Sequence, residues 1–156
     1  MKYEFVPGDE KVIAPGRTVK RIRALVAITA FGVSSGDLGG YIESDKNLAQ
    51  VSGDAWVSGN AQVSGNAQVS GDARVSGNAQ VSGDGLIVWF SNVGSENGTL
   101  TAYNAKDNEI EVTRGCFNGS IDEFLAASKK KHDDQTHLEY RMLIEVAHSR
   151  ITRARK

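Results

Sequence analysis

The sequence holds one cysteine, two prolines and three histidines, and it has no apolar run near the roughly 20 residues that a membrane-spanning helix needs. A single cysteine, Cys116, excludes an internal disulfide framework and suits a reducing compartment. The N-terminus, MKYEFVPGDEK, lacks the apolar core of a secretory signal. Neither sign of charge is in excess: 18 Lys and Arg stand against 19 Asp and Glu, so no overall field draws the chain to nucleic acid or to a membrane surface. These absences predict a cytoplasmic protein with no membrane partner and no nucleic-acid partner. The middle of the chain is poorer still in reactive groups. From Val51 to Leu86 there is no histidine, cysteine or lysine, and from Thr29 to Thr99 no threonine intervenes.

What fills that middle is one hexad written six times. Val51-Ser-Gly-Asp-Ala-Trp56 is followed by hexads that open at Val57, Val63, Val69, Val75 and Val81. Alanine holds the fifth place in Ala55, Ala61, Ala67, Ala73 and Ala79, and Gly85 holds it in the last. A six-residue period matches neither the helical 3.6 nor a long two-residue alternation. It matches a polygon in which each hexad makes one short flat strand and one corner. An inward β-branched Val packs on the Val of the next layer, and the fifth place must be small where the walls converge. Gly and Asn or Asp at places three and four tolerate the left-handed backbone of a tight corner. A flexible Gly/Ser linker has no need of Val at every sixth position.

VSGDAWVSGNAQVSGNAQVSGDARVSGNAQVSGDGL resembles the hexapeptide-repeat family of left-handed parallel β-helices, with an aliphatic residue first and a small one fifth. The resemblance implies about two coils, three hexads to a coil and about 4.8 Å between layers. It also implies a homo-oligomer, a trimer, since such prisms assemble by burying a face. Two coils leave open ends that need caps. Upstream, Lys2 to Val6 and Thr18 to Thr29 read as strands, with VPGDE and APGR as turns, and Asp45 to Gln50 reads as a degenerate hexad. Arg17, Lys20, Arg21 and Arg23 make one of these strands basic, either a solvated edge or a face for an anion. Downstream, Leu86 to Val93 reads as a strand, and Thr99 to Asn104 with Glu109 to Arg114 as a hairpin around AKDN. Ser120 with Glu123 makes a capping box, and a second helix from about Thr136 to Ile151 carries Tyr140, Leu143, Ile144, Ala147 and Ile151 on one stripe. The predicted fold is mainly β: a short left-handed parallel β-helix over 45–86, between an N-terminal β cap over 1–44 and a C-terminal ββαα cap with two helices over 87–156.

Acyltransferases of the hexapeptide family use a histidine near the coils. Here His132, His137 and His148 all fall in the C-terminal part, so no catalytic residue is expected, and neither a cofactor nor a metal. Anion recognition has better candidates. Gly94, Ser95, Asn97, Gly98 and Thr99 form a loop whose backbone N–H groups could cradle a phosphate. Arg114, Cys116, Phe117, Asn118 and Ser120 lead into a helix N-terminus, with Arg114 to grip an anion and Phe117 to stack on a ring. Arg150, Arg153, Arg155 and Lys156 make a cationic end that suits its helix dipole.

AFGVSSGDLGGYIES, SNVGSENGTLTAY and VTRGCFNGSIDEF resemble uncharacterised proteins of bacteriophages and prophages. That resemblance implies a phage product acting in the cytoplasm of a bacterial host. The expected function is therefore non-enzymatic capture of a small anionic, nucleotide-like ligand in clefts of the oligomer, for instance a host immune signal. A scaffold acting on a host protein is the alternative, and an acyltransferase-like enzyme the third reading.

Overall fold

The hexads stack in parallel at an interval of three hexads in the computed structural model, which describes residues 1–155. The chain is mainly β with two helices. Strands β1 (Tyr3–Ala14), β2 (Arg17–Ala24) and β3 (Leu38–Ile42) precede the short strands β4 (Trp56–Val57), β5 (Gln62–Val63), β6 (Arg74–Val75) and β7 (Gln80–Val81). In parallel register Gln62 faces Gln80 and Val63 faces Val81, while Trp56 faces Arg74 and Val57 faces Val75. Each partner lies eighteen positions along, so like places stack on like. Val57, Val63, Val69, Val75 and Val81 are buried, as are all five fifth-place alanines.

Two details of the repeat differ from the sequence reading. Left-handed backbone falls on glycine alone: Gly53, Gly59, Gly65, Gly71 and Gly77 have φ between 59° and 73°, while no Asn or Asp of the fourth place does. At Gly65 a β-carbon would run into the Ser82 carbonyl of the next layer, so the stacked corners demand glycine twice over. The second difference is Val51, which is 97% exposed. Leu48, buried and bridged in parallel to Val69, takes its place. Three extra residues therefore loop out of the first layer. Tyr3 stands at this corner instead, its hydroxyl donating to Leu48 O at 2.7 Å, and the Gln50 amide accepts from the backbone N–H groups of Lys2 and Tyr3.

The upstream cap is a long antiparallel hairpin of β1 and β2, turned at Pro15-Gly16, with Gly8 inside β1 rather than at a separate turn. β3 joins it to the stack, antiparallel to β2 and parallel to β5, in a sheet ordered β1-β2-β3-β5-β7. The basic strand is neutralised at its arginines: Arg17 pairs with Glu43, Arg21 with Asp9 and Arg23 with Glu4. Arg21 also lies 4.4 Å from the centre of the Tyr41 ring. All three arginines are thus spent on ion pairs, and β2 is no edge, since it lies between β1 and β3.

The Arg17 hydrogen bonds, with the Gly65 N–H, hold the Glu43 carboxyl at about 2 against an ordinary 4.5. A depressed carboxyl stabilises the fold fully above its unfolded value and loses that contribution as pH falls through its folded one. Unfolding free energy should therefore decline between about pH 4.5 and pH 2 through this group, and Glu43→Gln should flatten that limb of an acid titration followed by circular dichroism. A limb of unchanged slope in the variant would assign the acid sensitivity elsewhere.

The downstream cap is a sheet ordered β11-β10-β9-β8, from β8 (Ile87–Val93), β9 (Gly98–Asn104), β10 (Ile110–Arg114) and β11 (Phe117–Ser120). The sequence of β11 reads as a turn into a helix. A two-residue turn, Gly115-Cys116, instead folds it back with Arg114 opposite Phe117. Helices α1 (Ile121–Lys131) and α2 (Asp134–Ala154) pack on this sheet. The cap closes the last layer with side chains. Tyr103 OH donates to Ser76 O and accepts from Ser76 N, Thr101 Oγ1 accepts from Arg74 N, Thr113 donates to Arg74 O, and Asn104 donates to Gln80 O. An otherwise open β-edge is thus satisfied group by group. Burial pushes the Tyr103 hydroxyl up to about 12, so it stays protonated in this role. Among the described residues no helix is long and apolar enough to cross a membrane.

Candidate functional site

Antiparallel pairing brings two turns to the same end of the downstream sheet: Gly94–Asn97, between β8 and β9, and Gly115-Cys116, between β10 and β11. The C-terminal end of α1 lies beside them. Between these elements opens a cleft of about 560 Å³, lined by Ser95, Glu96, Arg114, Gly115, Cys116, Phe117, Phe124, Ala127, Ser128, Lys131, His132 and Tyr140.

Arg114 is the cation that hydrogen bonds fix within it. Nε donates to Tyr140 OH at 3.0 Å and Nη2 donates to the Ser95 carbonyl, while no hydrogen bond among the described residues engages Nη1. The guanidinium lies against Gly98, where a β-carbon would come within 2.6 Å of its central carbon. It is therefore held as a fixed plane with one donor group unspent. Lys131 adds a second cation and offsets the partial negative charge of the α1 C-terminus. Glu96 is the opposing charge in the lining. The wall is aromatic: Phe117 meets Phe124 edge-on at 5.4 Å, and Phe124 meets Tyr140 edge-on at 5.1 Å. His132 tilts against Tyr140 at 5.6 Å.

Four of the ten residues picked out by sequence, Ser95, Arg114, Cys116 and Phe117, come together here. The other six do not line the cleft. The Gly94 N–H donates to the Glu139 carboxylate and the Ser95 N–H to Tyr140 OH, so the expected amide cradle is spent inside the chain. Gly98 lies beneath Arg114, and Asn97 has φ 47° in the turn. Thr99 shares a 3.1 Å hydrogen bond with Ser91 on the strands behind. Asn118 points to the solenoid, donating to Ser76 Oγ and Tyr103 OH. Ser120 caps α1 in a closed box with Glu123, which uses its amide. Of the cationic tail, Arg155 is engaged by Asn104 and the Glu109 carbonyl, and Lys156 lies outside the described residues.

Sequence reasoning missed Phe124, Ser128, Lys131, His132 and Tyr140. Their helical pattern assigned Phe124 and Tyr140 to the core, and so they are, but the same aromatic faces also close the cleft. Ser128, buried, holds its hydroxyl 2.9 Å from His137 Nδ1 and ties α1 to α2 beneath the site.

The stack of hexads is a β-solenoid repeat, and the cleft lies apart from it in the downstream cap. Residues 49–65 and 67–83 are similar to the family described as YdcK beta solenoid repeat. The matched residues fall on the repeat, up to residue 83, and include none of the cleft lining. No curated protein and no solved structure matches the chain.

Proposed function

We propose that the cap cleft binds a small anionic ligand bearing a flat ring, of nucleotide type, and holds it without turning it over. The observation that carries this reading is Arg114, fixed by Tyr140 and Ser95 with Nη1 unspent, facing an aromatic wall across a cleft of about 560 Å³. Arg114 and Lys131 against Glu96 leave one positive charge in excess, which suits a phosphate. Phe117 and its aromatic neighbours suit a base or a similar ring. In this reading the solenoid is a left-handed parallel β-helix of about two coils that fixes the caps in register, and a homotrimer buries one face of each prism. In the bacteriophage setting that the flanking motifs resemble, the activity sequesters a host immune signal in the cytoplasm.

Calorimetry against mono-, di- and cyclic nucleotides tests the proposal. A binder should emerge, and Arg114→Ala should weaken it at least about tenfold, the worth of a charge-assisted hydrogen bond. Because Arg114 also braces the Ser95 turn, Lys131→Ala provides the second variant, with a smaller loss expected. Failure of the whole panel at millimolar concentration would discard this reading. A stable complex with one host protein in its place would favour the scaffold.

A further inference from the structure

Helix α2 turns Tyr140, Ile144, Ala147 and Ile151 into its own cap and leaves a second apolar stripe outside. Leu138, Met142 and Val146 are 49%, 52% and 48% exposed, which is unusual for three large apolar side chains at i, i+4 and i+8. At about 100° per residue, Leu138 and Val146 sit about 40° to either side of Met142, so the three form one outward seam. Beyond Met142 the seam opens into a shallow groove of about 450 Å³ that runs past Val146 toward Arg153. Along one edge lie Arg141 and Glu145, both exposed, and neither makes an ion pair among the described residues.

We infer that this face is an interface between two copies of the chain, with their α2 helices packed antiparallel about a two-fold axis at Met142. The pattern is complementary to itself in that orientation and in no parallel one. A two-fold at Met142 sets Leu138 of one copy level with Val146 and the groove of the other, and repeats the contact by symmetry. It also sets Glu145 beside Arg141 of the second copy, twice, on the same edge. A parallel two-fold would instead place the charged edges of the two copies on opposite sides of the seam, where Glu145 and Arg141 do not meet. The apolar seam provides the attraction, and the charges choose the orientation. The cleft is not part of this face, so the pairing stands or falls apart from ligand binding. Combined with a threefold solenoid contact it yields an even-numbered assembly.

Single-cysteine variants in a Cys116→Ser background read the geometry directly. Met142→Cys meets its own counterpart and should form a disulfide-linked pair under mild oxidation. Arg153→Cys, about 33 Å from its counterpart at 1.5 Å per residue, should not. In sedimentation, Arg141→Glu should weaken the pair at least tenfold, and Arg141→Glu combined with Glu145→Arg should restore it. Linking at Arg153→Cys as fast as at Met142→Cys, or no linking at either, would overturn the inference. So would a charge-swapped double variant that stays as weak as the single one. All four positions are exposed, and unchanged thermal unfolding of each variant confirms that folding is not being measured.

Discussion

Replacing Trp56 by alanine is expected to remove about 4 kcal/mol of folding stability, within the range for truncating a fully buried large aromatic. Trp56 occupies the sixth place of its hexad, where the next four hexads carry Gln62, Gln68, Arg74 and Gln80. Those residues face solvent or the edge of the cap. Trp56 is 1% exposed because the upstream hairpin covers that face of the stack. Its ring lies so close to Gly39 that a β-carbon there would stand 2.8 Å from it and 2.7 Å from Ile22. Glycine at position 39 of β3 and tryptophan at 56 are thus one contact, with Ile22 of the hairpin packed against the same point. Restoring the repeat with Trp56→Gln should cost as much, since it buries an amide without partners. Denaturant titration gives the answer: the midpoint should drop with the slope unchanged. A loss below about 1 kcal/mol would mean the hairpin is not seated on the stack there.

Asn47→Ala should be nearly as damaging, at about 3–4 kcal/mol, because each buried group left unpaired costs roughly 1–3 kcal/mol. The side chain is fully buried and all its capacity is used. Nδ2 donates to the Gly65 and Ala67 carbonyls, and Oδ1 accepts from the Glu43 and Ser44 N–H groups. It therefore closes a corner of the first layer and fastens it to the second in one residue. Asn47→Asp keeps the shape but points a carboxylate at two carbonyls. Burial and repulsion raise the folded-state value of that acid, so the Asp variant should be less destabilised at pH 4 than at pH 7. Equal destabilisation of the Asp variant at both pH values would show that the carbonyls have moved away.

The stacking of the repeat was legible because one place in six must be aliphatic and another small, and the sequence obeys this almost without exception. The displaced Val51 was not legible. Residues 51–56 still spell a perfect hexad, and the corner that Val51 leaves is held by Tyr3, brought from the far end of the upstream hairpin to donate to Leu48 O. The capping box at Ser120 and the hairpin around Lys106–Asn108 are local chemistry, and both were read correctly. β11 was missed because a two-residue Gly-Cys turn looks the same as a loop entering a helix. At the cleft, Arg114, Cys116, Phe117 and Ser95 announced themselves by type and spacing. The amide cradle failed because Glu139 and Tyr140 arrive from 45 positions away to claim those N–H groups. Lys131 and His132 could only be placed once the packing of α1 was known.

The downstream cap grips the solenoid mostly through backbone atoms of Arg74, Ser76 and Gln80, which every layer offers, and through the Ser76 hydroxyl, which recurs at the second place of every hexad. The Arg74 side chain, donating to the Gly115 carbonyl, is particular to its place. Most of the grip therefore does not depend on how many layers lie beneath it. Insertion or loss of eighteen residues would lengthen or shorten the prism by one storey and return both caps to their original bearings. Insertion of six, a third of that interval, should take the two caps out of their present register. The repeat is thus a spacer graduated in steps of eighteen residues: slippage by a whole step should change its length while every contact inside each cap stays as it was.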